Sequence, residues 1–170
     1  TYLLFKKGWS GINIDLNKTS IELFNKARKK DFNLRIAVSN KFKKIKYFYR
    51  KKINMLNTIN KKFAKSSFRK GFKTSFVQAD TLNSVLKKTK LKNKKIDFLN
   101  LDIEGNEINA LKSLNFKKYS PKLICVEIHN YSSSKSKINN FKSNPIYSFL
   151  LRKGYRKVWN NEFSFIFRRN

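Results

Sequence analysis

The 170 residues include one cysteine, one histidine, two prolines and five glycines. A lone cysteine excludes a disulfide scaffold and any zinc site built on cysteines, and it points to a reducing compartment, the cytoplasm. A lone histidine leaves no histidine-rich metal site. So little glycine and proline excludes collagen-like and linker-like chains. No run of about 18 apolar residues occurs, so no transmembrane helix is expected. Residues 1–9 do not read as a signal peptide, because their apolar part is too short. Acid is scarce as well: Asp+Glu is 10 against 40 Lys+Arg, a formal net charge of +30. That excludes an acidic solvating tail.

What is present suits one α/β domain spanning residues 1–170. Hydrophobic residues make up 40%, with 16 Phe and 7 Tyr, enough to bury a core. The charge has a bland source. Lysine supplies 32 of the 40 basic residues, Asn numbers 21, and Ala, Gly and Pro together number 12. Coding DNA rich in A and T yields that composition without selection for a partner. Net charge by itself speaks to solubility and non-specific binding.

Apolar segments alternate with amphipathic ones along the chain. Residues 11–15 read as a strand ending in Asp15. Residues 18–30 read as a helix with Ile21, Phe24 and Ala27 on one face, capped by Thr19 or Asn17, with Glu22 in its first turn. Residues 33–39 read as the next strand, and 43–49 as a half-exposed edge strand. Residues 50–72 are basic and polar and read as an irregular insertion. Residues 73–79 form a strand, and 81–90 a helix with Leu82, Val85 and Leu86 inward. Residues 96–103 are nearly all apolar, as in a strand buried on both faces. Residues 106–116 form a helix, and Pro121 opens another buried strand, 122–129. A polar loop covers 132–137. A helix over 146–153 stops at Gly154, and two strands close the chain around Asn160 and Asn161. The alternation predicts a mostly parallel sheet, with ligands beyond the carboxyl ends of its strands.

The strand ends carry the acids. Asp15 suits an acceptor for both ribose hydroxyls of a nucleotide, or a helix cap. Three of the ten acids, Asp102, Glu104 and Glu107, lie within six residues at the end of the most apolar strand. Glu107 also suits the first turn of the following helix. Glu127 and His129 share a face, because strand side chains alternate. If the two strands are neighbours, Asp102, Glu104, Glu127 and His129 converge. The imidazole suits a general base, or a structural histidine. Four such groups would also suit a hard cation, though no ligand spacing specifies one. Cys125 packs inside its strand.

Together these residues resemble the FkbM family of S-adenosylmethionine-dependent methyltransferases. Asp97-Phe98-Leu99-Asn100-Leu101-Asp102-Ile103-Glu104-Gly105-Asn106-Glu107, followed by Ala110-Leu111-Lys112-Ser113-Leu114, is similar to the family's "DFLxIDVEGxExxVLKSL". Pro121 to His129 continues it as "PKLIxVEIH". Gly8-Trp9-Ser10-Gly11-Ile12-Asn13-Ile14-Asp15-Leu16-Asn17 resembles "GWxGxxIEPNP", Ala37-Val38-Ser39 resembles "AVS", and residues 81–86 resemble "TLDSLL". The resemblance implies a Rossmann-like sheet with helices on both faces. It implies that Asp15 takes the ribose hydroxyls of S-adenosylmethionine, that Ala37, Val38 and Ser39 lie near the adenine, and that Asp102 and Glu104 face the methionine end or the acceptor. It implies O-methylation of a sugar, glycan or other small molecule. Glu104, Glu127 and His129 are then the candidate catalytic groups.

Leu16, Asn83 and Asn100 depart mildly from the family pattern. The larger departure is the family's Gly-rich "DxGAxxG" turn, which none of Gly8, Gly11, Gly71, Gly105 and Gly154 supplies. The strand before that turn would lie between those ending at Asp15 and Asp102. Without it the sheet carries a gap of about 10 Å, at about 4.8 Å per strand spacing. The expectation is a domain lacking its first strand and Gly-rich turn, with weak cofactor binding by these 170 residues. The rival readings are an inactive remnant and a basic nucleic-acid-binding module, since 14 Lys or Arg and no acid fall between Asp31 and Asp80. Against the module stands the acid cluster at 102–107. The same basic stretch suits weak contact with an anionic membrane or another polyanion.

Overall fold

The computed structural model describes residues 1–51, 56–89, 91, 93–128 and 144–170. A short helix, α1 (Tyr2–Lys6), leads into β1 (Ile12–Asp15), α2 (Lys18–Ala27), β2 (Phe32–Arg35) and β3 (Ala37–Val38). Then come β4 (Lys43–Tyr49), α3 (Lys61–Ser67), β5 (Lys73–Asp80) and α4 (Leu82–Lys88). The second half holds β6 (Phe98–Leu101), α5 (Glu107–Lys112), α6 (Phe116–Tyr119), β7 (Leu123–Glu127), α7 (Pro145–Arg152), β8 (Tyr155–Asn160) and β9 (Ser164–Arg169).

Local chemistry accounts for the boundaries. Asn17 caps α2, its side-chain oxygen accepting from the backbone N–H of Thr19 at 2.8 Å and of Ser20. Thr81, Asn60, Asn115 and Asn144 cap α4, α3, α6 and α7 in the same way. Gly154 ends α7 at φ +82°, a left-handed conformation that costs glycine nothing. Asn161 accepts from the N–H groups of Phe163 and Ser164 and so turns β8 into β9. Asp31 anchors the start of β1 by accepting from Gly11 N–H and from the Asn13 side chain, while Arg28 pairs with it at 2.7 Å.

The strands pair in three groups: β1 with β2; β3-β5-β4; and β6-β7-β9-β8. The pairs β1–β2, β3–β5 and β6–β7 are parallel, and β4–β5, β7–β9 and β8–β9 are antiparallel. The sheet is therefore mixed rather than mostly parallel. The main core lies on the four-stranded group. Ile124 and Val126 of β7 and Phe165 and Phe167 of β9 are wholly buried, packed with Leu111 of α5 and Leu150 of α7. Each such side chain contributes about 1.5–3 kcal/mol of burial.

Three expectations change. Residues 50–72 are not simply irregular: their described part holds α3 and a bridge between Thr58 and Phe48. Residues 52–55 fall outside the described residues, as do the polar loop at 132–137 and His129. The strand at β6 is not buried on both faces, since Asn100 is exposed and only Leu101 is buried. The reason is that, among the described residues, β6 pairs with β7 alone and borders a cavity on its other side. Glu22 sits in the second turn of α2, paired with Lys18 at 3.6 Å, not in its first. Leu82, Val85 and Leu86 do face inward, and β4 is an edge strand with exposed lysines.

Candidate active site

Two cavities adjoin the strand ends. The smaller, about 190 Å³, is lined by Asp15 at the end of β1, Ala37 and Val38 of β3, and Asp102, Glu104 and Asn106 beyond β6. Five of the residues singled out in the sequence thus meet at one place. Ser39, the next along from Val38, is buried and donates its N–H to the Asp80 carbonyl at 2.9 Å. It does not line the cavity. The larger cavity, about 570 Å³, lies between β1 and β6, with Ile12, Ile14, Leu99 and Leu101 among its walls. Among the described residues no strand pairs with either β1 or β6 on that side.

Each acid is held differently. Asp15 accepts from Asn17 N–H through Oδ1 at 2.7 Å, so the carboxylate is oriented by the turn into α2. Glu107 folds back from the first turn of α5. Its Oε1 accepts from the N–H groups of Ile103 at 3.0 Å and Gly105 at 3.1 Å. It clasps the loop between them. Glu104 lies in that loop at φ +56°, among the described residues the one non-glycine residue with positive φ, followed by Gly105 at +90°. Such a conformation costs about 1–2 kcal/mol for a residue with a side chain.

Hydrogen bonds from the basic stretch hold the loop. Thr58 Oγ1 donates to the Glu104 carbonyl at 2.6 Å, and Asn60 Nδ2 to the Gly105 carbonyl at 2.9 Å. Asn106 Nδ2 donates to the Val38 carbonyl at 2.7 Å and ties β3 to the same loop. Thr58, Asn60 and Asn106 were not singled out in the sequence. Their one signal was uncharged polarity, with Asn57, Thr58 and Asn60 clustered inside a lysine-rich stretch.

The parallel pairing of Leu101 with Val126 sets Glu127 beside Asp102. Carboxylate oxygens of Asp102, Glu104 and Glu127 all lie within 4.8 Å of one another. Three hard oxygen donors at that spacing also match the demands of a divalent cation. The crowding raises the proton affinity of both glutamates. Burial, with the charges of Asp102 and Glu107, pushes Glu104 up to about 7. Burial, a hydrogen bond with Asp102 and the neighbouring carboxylates push Glu127 up to about 8. Both glutamates thus hold a proton nearer to neutral pH than an ordinary carboxyl does. Burial and the neighbouring acids also raise the Cys125 thiol, so it is no activated nucleophile.

The result is an α/β domain whose strand ends bring the carboxylates of Asp15, Asp102 and Glu104 to one cleft. The family model of the methyltransferase FkbM domain matches residues 1–157, and the chain belongs to the FkbM methyltransferase family. No curated protein and no solved structure matches it. The family match speaks against a nucleic-acid-binding module. Among the described residues, no helix is long and apolar enough to cross a membrane.

Proposed function

We propose that the protein transfers the methyl group of S-adenosylmethionine to a hydroxyl of a sugar, glycan or other small molecule, in the cytoplasm. The observation that carries the reading is the convergence of Asp15, Ala37, Val38, Asp102 and Glu104 on one cavity. The donor set suits the cofactor: a carboxylate at the end of β1 for the ribose diol, apolar β3 for a purine, and polar groups beyond β6 for an amino acid. When bound, the cofactor supplies an electrophilic methyl on a sulfonium.

In this reading, Asp15 orients the ribose through the oxygen that Asn17 leaves open. Val38 and Ala37 pack beside the adenine, with Ser39 behind them. Asp102 faces the methionine amino group. Glu104 would take the hydroxyl proton of the acceptor, whose oxygen would then bond to the methyl carbon that the sulfonium supplies as the carbon–sulfur bond breaks. A base titrating near 7 matches neutral pH, and such a group is worth about 10²–10⁴ in rate. Alignment of acceptor and methyl supplies much of the rest. The finer fold is a Rossmann-like sheet with helices on both faces. The cavity between β1 and β6 then occupies the position of one further parallel strand. A span of two strand spacings, about 10 Å, would admit it.

The test is transfer of labelled methyl from S-adenosylmethionine to a panel of sugars and small alcohols. Glu104→Gln is expected to lower kcat by about 10²–10⁴, and Asp15→Ala to raise the KM for S-adenosylmethionine at least tenfold with kcat less affected. His129→Ala, set against Glu104→Gln, decides which group is the base. Unchanged cofactor KM in Asp15→Ala, or hydroxyl methylation that survives both Glu104→Gln and His129→Ala, would overturn the proposal.

A further inference from the structure

The face of β4 and β5 that points away from the core carries a cluster of a different kind. Register pairs Lys46 with Phe76 and Lys44 with Gln78 across the two strands. Lys44 Nζ and Lys46 Nζ lie 5.5 and 5.8 Å from the centroid of the Phe76 ring, which is 55% exposed. Just before β4, Phe42 is 67% exposed, with Lys88 Nζ 5.4 Å from its ring. Lys41 and Lys43 are exposed as well. Asp80, at the end of β5, is buried and already paired with Lys88 at 2.8 Å. Lys44 and Lys46 thus flank the exposed Phe76 ring on one face of the strand pair, and Lys88 flanks the exposed Phe42 ring at its end.

We propose that this surface docks the protein on an anionic phospholipid bilayer. Charge complementarity argues for an anionic partner, and the rings decide which. Each Lys contributes about fivefold to binding near an anionic leaflet. Phe42 and Phe76 add apolar side chains that enter the headgroup boundary, while the lysine stems extend along them and keep their ammonium groups at the phosphates. A single-stranded nucleic acid would need a bare ring face on which to stack a base. At Phe76 two ammonium groups already lie over the ring. The cluster also lies near the candidate site. Phe42 is three residues beyond Ser39, and Lys43, at the start of β4, pairs with Ala79 next to Asp80. A docked protein would hold the ends of β3 and β5 close to the lipid surface.

The experiment is co-sedimentation of the full chain with vesicles of phosphatidylcholine alone and with 30% phosphatidylserine added, at roughly 50, 150 and 500 mM salt. These salts move the Debye length from above to well below about 10 Å. Wild type is expected to bind only the anionic vesicles and to release as salt rises. Lys44→Gln with Lys46→Gln is expected to lower the partition coefficient by about 25-fold, at about fivefold per lysine. Phe76→Ser is expected to lower it severalfold at constant charge. A control pair on α6, Lys117→Gln with Lys118→Gln, removes the same charge elsewhere and is expected to cost under threefold. Phe42→Trp is expected to add fluorescence that brominated lipids quench. All these side chains are exposed, and an unchanged Tm verifies each variant's fold. Equal losses in the patch and control pairs would show diffuse charge only and overturn the proposal. So would Phe76-dependent binding to single-stranded RNA that exceeds binding to vesicles.

Discussion

Asp80 and Glu104 stand at equivalent places, just at or beyond the carboxyl end of a strand in the same α/β domain, yet their proton affinities move in opposite directions. Burial pushes the Asp80 carboxyl up, but the Lys88 ammonium, Thr81 N–H and Ser84 hydroxyl outweigh it and hold the group below the usual carboxylate range. Glu104 is also buried, but its charged neighbours are Asp102 and Glu107, and it rises to about 7. The lesson is that burial alone does not decide a carboxylate's role. A cation and two donors make a structural anchor, whereas like charges make a proton acceptor.

The strongest way to break the contrast is to remove the raised acid. Glu104→Gln is expected to lose about 10²–10⁴ of methyl transfer while keeping the fold; an unaltered rate would show that Glu104 is a bystander. The pH dependence separates the two acids next. Between pH 4.5 and 8 the folded state binds more protons than the unfolded chain through Glu104 and Glu127, so stability falls as pH rises. For Glu104, whose affinity moves from 4.5 to about 7, the loss is on the order of 3 kcal/mol. Transfer should rise with pH over the same window, because the base must be ionised. Urea titrations across pH should show this slope, and a Glu104→Gln, Glu127→Gln double variant should flatten it.

Asp80 has the opposite sign. Its contribution is present above about pH 4 and is lost as pH falls further, since its folded-state affinity is depressed. Asp80→Asn is expected to cost about 2 kcal/mol at pH 7, the scale of hydrogen bonds to a charged group, without moving the pH dependence of transfer. Gly105→Ala should cost about 1–2 kcal/mol for its left-handed φ. Its added Cβ would also meet Asn60 Nδ2 at 2.9 Å and loosen the Glu104 loop, so the pH profile should shift with stability. Lys88→Met should have the smallest effect, under about 1 kcal/mol, because its side chain is mostly exposed.

The resemblance and the periodicity were legible residue by residue. The apolar face of α4 and the Asn17 cap of α2 follow from local patterns, because capping and side-chain periodicity act over a few residues, whereas the pairing of β6 with β7 is tertiary. The convergence of Asp102, Glu104 and Glu127 needed only that those two strands be neighbours. Other features were not legible. The stretch at 50–72 reads as a basic insertion, yet Thr58 and Asn60 hold the carbonyls of Glu104 and Gly105 from more than forty residues away. Asn106 reaches Val38 across sixty-eight. Hydrogen bonds of that range leave no period in a sequence.

By itself, then, the sequence determined the family, the alternation of strands and helices, and which acids stand at strand ends. These rest on composition and local spacing. Tertiary structure alone decided which acid keeps a proton. It brought Lys88 to Asp80 and set Asp102, Glu107 and Glu127 around Glu104, and proton affinity depends on the charges within a few ångströms, whatever their order along the chain.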